Sequence, residues 1–411
     1  MSEHVDIVIV GAGLAGLNAA LVAQRAGRSV VLLESSDAVG GRVRTDEVDG
    51  LLLDRGFQLL NPAYPELVAL GVLEELDLRP FDAGVMVALE DGIARLGDPR
   101  RRPQWLLPTL LADVGDLRSK TKLAVALGRI WLAGSLGQPA SRSGSVRDAL
   151  LSDGVPVDMY ERVLRPFLTG VFLTDPSEVA AGHGDFVLRS FVNGTPSVPS
   201  RGMGALPRSM ALRLTPGTVR LGTRVHAVRA GAVDTEEGTV SGRTVIVATD
   251  PNQAREWFPA MHVAPTVSCT TWYHVTEQSP TAERAILVDA MQRGPVVNSV
   301  ALSKVAPSYA SLGRTLMSST TLGADSSGER EIEVRRHLAQ MWGTDTAAWT
   351  LVQATVVAQA LPVMAPNQPM FQPITVADGL LLAGDHRDTP SQQGALLSGR
   401  RAAEYALRQH S

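Results

Sequence analysis

The opening 34 residues constrain this chain more than any other stretch. Residues 5–10 (VDIVIV) make a short β-branched run that stops at Gly11, the pattern of a strand buried on both faces of a parallel sheet. Residues 14–26 are rich in Ala and Leu with a polar edge at Asn18, Gln24 and Arg25, which predicts a helix closed by Gly27. Residues 29–34 (SVVLLE) predict a second buried strand. Together they form one βαβ unit, so the chain is expected to be α/β with a mostly parallel sheet.

The turn inside that unit reads Gly11-Ala12-Gly13-Leu14-Ala15-Gly16, a GxGxxG. At this spacing the first glycine makes the tight turn, the second lets backbone approach a diphosphate, and the third lets helix pack on sheet. The helix start adds free N–H groups and a dipole that attract the diphosphate. Glu34 ends the second strand with Ser35 beside it, and a carboxylate there can accept both ribose hydroxyls. A packing turn with an exposed acid is the plainer reading, and the strand–turn–helix context weighs against it. Gly40-Gly41-Arg42-Val43-Arg44 follows six residues after Glu34. That spacing favours FAD over NAD, with a forked guanidinium reaching the diphosphate from the opposite side; a basic surface loop would have the same composition. At the far end, LLLAGD (380–385) reads as a buried strand ending in Gly384-Asp385, and a helix starts near Gln393, Gly394 and Ala395. N–H groups at that start can face the electron-rich edge of a reduced flavin, and Asp385 can hold a ribityl hydroxyl or a diphosphate water.

These three motifs resemble the FAD-binding half of the flavin amine oxidase, protoporphyrinogen oxidase and phytoene desaturase superfamily. The resemblance extends over nearly the whole chain. Val225 matches the position whose backbone reads the adenine, and TVIVAT (244–249) matches a characteristic strand of that superfamily. Leu53-Asp54-Arg55-Gly56-Phe57-Gln58 resembles the loop beside the isoalloxazine, and residues 200–207 (SRGMGALP) the turn after the helical region. The resemblance implies a Rossmann-like FAD-binding domain (residues 1–95, 207–262 and 350–411) interleaved with an α+β substrate domain (96–206 and 263–349). The latter would combine helices with an antiparallel sheet, and the pocket would lie between the domains. FAD is expected to be noncovalent. The cysteine that tethers it in monoamine oxidases would fall near Gln359, whereas the chain's one cysteine is Cys269.

The same resemblance separates the candidate reactions. Of 38 basic residues only Lys120, Lys122 and Lys304 are lysines. The lysine of amine oxidases would fall at about Ser268, and their two flavin-flanking rings near Ala360 and Ser391. None of the three matches. The favoured function is therefore removal of hydride from a C–H bond of a hydrophobic substrate, desaturase-like or porphyrinogen-oxidase-like, with a redox-neutral isomerase as a variant. An amine oxidase, a non-catalytic FAD-binding scaffold and an NAD-binding protein are the alternatives. His183, His386 and Gln58 are candidates for contact with substrate or flavin, and Arg55 for an ion pair with Asp54 or another acid. Alternation lets only one of Trp272 and Tyr273 face the pocket. No residue is assigned a catalytic role, and no spacing suggests a metal site.

Composition narrows the partners. A formal charge of −4 argues against nucleic acid, and a single cysteine excludes an intrachain disulfide. The start of the chain lacks the basic residues of a secretory signal, and the longest uncharged stretch, 346–377, carries four prolines and cannot span a bilayer as one helix. A cytoplasmic or membrane-peripheral protein is expected, with a hydrophobic small-molecule substrate and oxygen or a quinone as electron acceptor. A homodimer stays open. The apolar residues of 104–135 read first as helix–helix core and second as a hydrophobic entrance or membrane-facing surface. The stretch 35–60 reads mainly as loop, 83–96 as a hairpin about Asp91-Gly92, and 170–206 as a Gly- and Pro-rich segment.

Overall fold

Strand Glu3–Val10 pairs in parallel with Val30–Leu33 on one side and with Gly238–Val247 on the other. Val219–Arg220 and Leu380–Leu382 extend this parallel arrangement at its two ends. The last strand of the chain, Leu380–Leu382, thus reaches the first through Gly238–Val247. Antiparallel strands Val225–Arg229, Ala232–Thr235 and Thr375–Ala377 complete an eight-stranded sheet. The structure is a computed structural model describing residues 3–132, 142–261, 263–311 and 313–409.

Burial on both faces explains the uninterrupted apolar runs. Ile7, Ile9, Leu32 and Ile246 pack on one face, and Val8, Val10, Leu33 and Val245 on the other. Helices Leu14–Arg25 and Gln392–Gln409 share the first of these faces. They approach so closely that a Cβ on Gly399 would stand 2.1 Å from the carbonyl oxygen of Ala15. Asn18 Nδ2 donates to the Leu396 carbonyl across the same contact at 2.7 Å.

The second sheet has seven strands. Thr266–Thr276 lies between Thr350–Pro362 and Thr315–Leu322, and Val296–Ala301, Ile286–Asp289, Gly84–Leu89 and Gly92–Gly97 follow in order. All pairings are antiparallel except Ile286–Asp289 with Gly84–Leu89. The strands at 84–97 and 350–362, expected in the FAD domain, therefore belong to this sheet. Met86 and Ala88 bury against Leu287 and Trp272 here, which a local pattern does not reveal.

Three further stretches differ from expectation. Thr45–Val48 and Leu51–Asp54 pair as a hairpin within the stretch read as loop. Ala181–Asn193 is a helix despite Gly182 and Gly184; at Gly184 the missing side chain serves close packing, since a Cβ there would stand 2.6 Å from Val146. The apolar stretch from 104 is only partly core. Trp105, Leu123, Ala126 and Ile130 are buried, whereas Leu107, Leu111, Leu117 and Leu132 are 62–74% exposed on helices Leu106–Leu111 and Leu117–Leu132. Residues 133–135 of that expected helical stretch lie outside the described residues.

Helix Gly328–Trp342 covers the outer face of the second sheet through a buried hydrogen-bonded pair. His337 Nε2 meets Asp289 Oδ2 at 2.9 Å while its Nδ1 accepts the Val296 N–H at 3.0 Å, so the proton sits on Nε2. Arg293 also donates to both oxygens of Asp289. Burial alone would raise the Asp289 pKa, but the hydrogen bonds from His337 and Arg293 outweigh it and hold the carboxyl well below its usual range. A depressed carboxylate stabilises the fold above its unfolded pKa and loses that contribution as pH falls. Asp289→Asn is expected to lower unfolding stability at pH 7 by about 3 kcal/mol. The gap to the parent should narrow as pH falls below about 4, read by denaturant titration across pH.

Candidate active site

A cavity of about 590 Å³ opens beside the glycine turn and extends to the second sheet. Of the residues expected at a cofactor, Gly11, Gly13, Leu14, Ala15, Glu34, Ser35, Gly41, Arg42, Gly56, Phe57, Gln58, Val225, Gly384, Asp385 and Ala395 line it. Ala12, Gly16, Gln393 and Gly394 do not.

The N-terminal part of this wall is built by backbone. Gly11 has φ +101°, a conformation that favours glycine, and its hypothetical Cβ would stand 2.8 Å from the Ala248 carbonyl oxygen. A Cβ on Gly13 would meet nothing within 4 Å, so this position keeps open space over the start of the first helix. Gly16 is held instead under the Gly11 carbonyl, which explains its absence from the wall. Glu34 is fixed in place. Its Oε2 accepts the Ala12 N–H at 2.8 Å, and its Oε1 accepts the Ser36 N–H and hydroxyl at 2.9 and 2.8 Å. A carboxylate offers about four lone-pair sites, so it keeps capacity for a ligand hydroxyl.

Arg42, expected at the diphosphate, and Asp385, expected at a ribityl hydroxyl or a diphosphate water, meet each other. Arg42 Nη2 reaches Asp385 Oδ1 at 2.7 Å, and Nη1 donates to the Ala360 carbonyl at 2.7 Å. Gln58 Nε2 donates to the Arg42 carbonyl at 2.8 Å. Arg55 pairs with Asp46, not Asp54. Asp54 is buried away from the cavity, where it accepts from Thr45 Oγ1, the Met203 N–H and the Tyr309 hydroxyl.

The last helix begins at Gln392. Ser391 caps it, its Oγ accepting the Gly394 N–H at 3.0 Å, and the Ala395 N–H is taken by the Ser391 carbonyl. The N–H groups of Gln392, Gln393 and Gly394 have no intrahelical carbonyl, and the cap takes that of Gly394. The Gln393 side chain turns the other way, accepting the Glu66 N–H at 3.0 Å. Open space at Gly13, two helix starts and a fixed carboxylate at Glu34 together fit a dinucleotide.

The other half of the cavity was mostly missed from sequence. Phe167, Val171 and Phe172 come from helix Arg165–Phe172, and His183, Val187 and Phe191 from helix Ala181–Asn193. Ile286, Val288, Asn298, Thr320 and Cys269 come from the second sheet. The one available signal was apolar spacing near 167–191, obscured by the glycines. His183 is buried with no partner at either nitrogen among the described residues, and burial lowers its pKa to about 4, leaving it neutral. His386 is shifted likewise but stands behind the wall. Neither Trp272 nor Tyr273 lines the cavity. Trp272 packs toward helix Gly328–Trp342, and the Tyr273 hydroxyl donates to the Asp54 carbonyl. Ser268, at the lysine position of amine oxidases, is also absent from the wall, and its neighbour Cys269 takes that side. Ala360 and Ser391 line the cavity and carry no ring. Among the described residues no cluster of His, Cys, Asp and Glu could hold a metal.

A family model described as flavin containing amine oxidoreductase matches residues 14–407. The putrescine oxidase of Kocuria rosea is 47% identical over 76 residues, covering 18% of this chain and 16% of that protein. The chloroplastic protoporphyrinogen oxidase of Nicotiana tabacum is 30% identical over 190 residues, covering 44% of this chain and 31% of that protein. The matched regions thus span less than a third of either relative's length. An oxidoreductase structure from Methanosarcina mazei superposes with a TM-score of 0.75 at 16% identity, covering 97% of this chain and all of that one, a likeness of fold.

Burial also pushes the Cys269 thiol up to about 11. A thiol in that range is almost wholly protonated and unreactive at pH 8. Ellman titration of the native protein at pH 8 is expected to be negligible over minutes, with one thiol appearing on denaturation. Rapid native labelling would show that Cys269 is reached by solvent through the cavity.

Proposed function

The chain belongs to the flavin-containing amine oxidoreductase family and is a flavin oxidoreductase with FAD as its cofactor; from that premise we propose that it oxidises a C–H bond of an uncharged, largely apolar substrate. Bound FAD would supply the hydride acceptor. The residues at the glycine turn, Gly41 and Arg42 hold the diphosphate, Glu34 and Ser35 the ribose, and Val225 the adenine. Gly56, Phe57, Gln58, Gly384, Asp385 and Ala395 lie along the flavin end.

The supporting observation is the distribution of charge. The carboxylates of the wall, Glu34, Asp250 and Asp385, all follow strands of the first sheet. The half built from 167–191 and 269–320 contributes no acid and no base other than the neutral His183. An ammonium entering there would lose water and find no carboxylate, an arrangement that costs several kcal/mol. An apolar molecule is accommodated without that penalty, and the phenylalanines position its C–H bond while excluding water. The missing lysine and rings support the same choice over amine oxidation.

Anaerobic mixing of the purified yellow protein with substrate panels tests this reading. Uncharged alkene or cyclic donors are expected to bleach the flavin absorbance, and primary amines are not. Bleaching by amines alone would make it an amine oxidase, and no bleaching by either class would favour a scaffold. Gly13→Val, which fills the space over the first helix, is expected to yield protein without FAD absorbance.

The electron acceptor proposed is oxygen or a quinone, and the exposed apolar face of helices Leu106–Leu111 and Leu117–Leu132 suggests where an acceptor pool could be met. Leu107, Leu111, Leu117 and Leu132 are exposed, and so are Arg118, Lys122 and Arg129 of the second of these helices. This mixture of apolar and basic side chains suits an anionic lipid surface. The protein is expected to sediment with vesicles containing phosphatidylserine more than with phosphatidylcholine vesicles. A variant carrying Leu107→Ser, Leu111→Ser and Leu132→Ser should lose that difference while keeping its FAD; equal sedimentation of the parent with both vesicles would exclude the contact.

A further inference from the structure

The edges of the two large sheets are protected unequally. In the first sheet, edge strands Val219–Arg220 and Thr375–Ala377 are only two and three residues long. The third edge, Val225–Arg229, carries His226 and Arg229, and Trp257 Nε1 covers it by donating to the His226 carbonyl at 3.1 Å. In the second sheet, edge strand Gly92–Gly97 carries Arg95 and lies under helix Leu106–Leu111. There the Thr109 hydroxyl donates to the Arg95 carbonyl at 3.2 Å and accepts the Gly97 N–H at 3.1 Å. Shortness, charge and cover are the devices that keep a sheet edge from pairing with another chain.

Thr350–Pro362, the opposite edge of the second sheet, has none of them. It is 13 residues long, pairs with Thr266–Thr276 alone, and holds no charged residue and no proline before its last position. Thr350, Leu351, Val356 and Ala358 are exposed. In an antiparallel strand the N–H and C=O groups of alternate residues point to opposite edges, so half of those in this strand face away from its neighbour. Among the described residues, the one hydrogen bond printed to the backbone of 350–361 from outside the sheet is that of Arg42 to the Ala360 carbonyl. The ladder with Thr266–Thr276 runs unbroken over Gln353–Val357, with a register shift at each end. The open edge is therefore centred on Thr355 and ends where Arg42 meets Ala360.

The missing charge selects the occupant. About a twofold axis an edge strand meets its own sequence reversed, so a charge near the axis would face its like. No charged residue occurs anywhere from 346 to 377, which lets two copies approach without that repulsion. A charged partner strand would find no counter-charge here. Thr355, Val356 and Val357 at the centre are β-branched, the type that pairs best across strands. We propose that Thr350–Pro362 pairs antiparallel with the same strand of a second copy of this chain, Thr355 opposite Thr355, so that one sheet runs through a dimer. Opposed residues share a face of a sheet, so the axis is perpendicular to it and both cavities lie on the same face. Val357, Ala360 and Leu361 of this strand line the cavity, so the contact braces a wall of each site.

Sedimentation of the FAD-loaded protein tests this. At micromolar concentration it is expected to show twice the 43.7 kDa mass of one chain. Val356 is 39% exposed and does not line the cavity. Val356→Lys should give a monomer with unchanged FAD absorbance, and Val356→Glu should do the same. An equimolar mixture of the two variants should return to the dimer mass, because the two 356 positions lie diagonally across the axis. Thr355→Cys should form an intermolecular disulfide on mild oxidation and the parent should not, since opposed Cα atoms stand about 4.5–5.5 Å apart, a span a disulfide closes. A monomeric parent overturns the proposal, as does a dimer that survives both Val356 variants; absence of the cross-link overturns the pairing about Thr355. A monomer that binds a labelled peptide of residues 350–361 overturns the second copy as occupant and assigns the edge to a foreign strand.

Discussion

Asn18 and Leu396 are 378 residues apart, and the hydrogen bond between them lies inside the helix pair on which both ends of the cavity stand. Closing so long a loop costs entropy, but that cost grows only logarithmically with length. The closure is repaid locally. Ala402, Ala403 and Ala406 of the last helix and Leu17, Ala19 and Ala20 of the first are fully buried, and the near-touching backbones at Gly399 and Ala15 allow this. Small residues at the contact set the spacing of the helices. That spacing in turn sets where their two N-terminal ends face the cavity. The Arg42–Asp385 pair joins the N-terminal and C-terminal parts of the chain a second time, on the cavity wall.

Because one sheet carries both helix starts, the charge of the site is confined to one half. Glu34, Arg42 and Asp385 are held by backbone N–H groups, carbonyls or each other. The opposite half has no such scaffold. Its strands and helices present apolar side chains and a few neutral polar ones, which binds uncharged molecules with little desolvation cost. A division of this kind suits chemistry in which the reactive group belongs to the cofactor and the protein chiefly positions what is oxidised.

The legible part of the sequence was the part whose pattern is local. The run 5–10, the glycine turn, Glu34 and the helix near Gln393 each carry their signal within a few residues, and the structure places them on one sheet. Partnerships between distant strands carry no such signal. Nothing in Gly84–Leu89 indicates that its neighbour is Ile286–Asp289, so the sequence does not reveal that this hairpin joins the seven-stranded sheet. The substrate half was obscured by glycine's double use. Gly182 and Gly184 read as turn residues but sit in a helix, where Gly184 packs on Val146. The apolar stripe after Trp105 illustrates the converse, since amphipathic spacing reports which residues share a face and not whether that face is covered.

Perturbed titration often marks catalytic groups, yet here most of it marks structure. Asp54 is raised to about 6 by burial, against hydrogen bonds from Thr45, Met203 and Tyr309 that pull it down. It ties the 45–54 hairpin to the turn at 203 and to Tyr309, and the chain leaves it directly into Gly56, Phe57 and Gln58 on the cavity wall. Its role is to position that loop. Asp388, also raised to about 6, lies beside Arg401 behind the wall. In the uncharged half, His183 and Cys269 are shifted in opposite directions by the same cause, burial, and both shifts favour the neutral form. A wall whose titratable groups are all driven to neutrality offers no proton acceptor at pH 7 except the weakly basic, buried imidazole of His183. Its discrimination must then come from shape and from neutral hydrogen bonds.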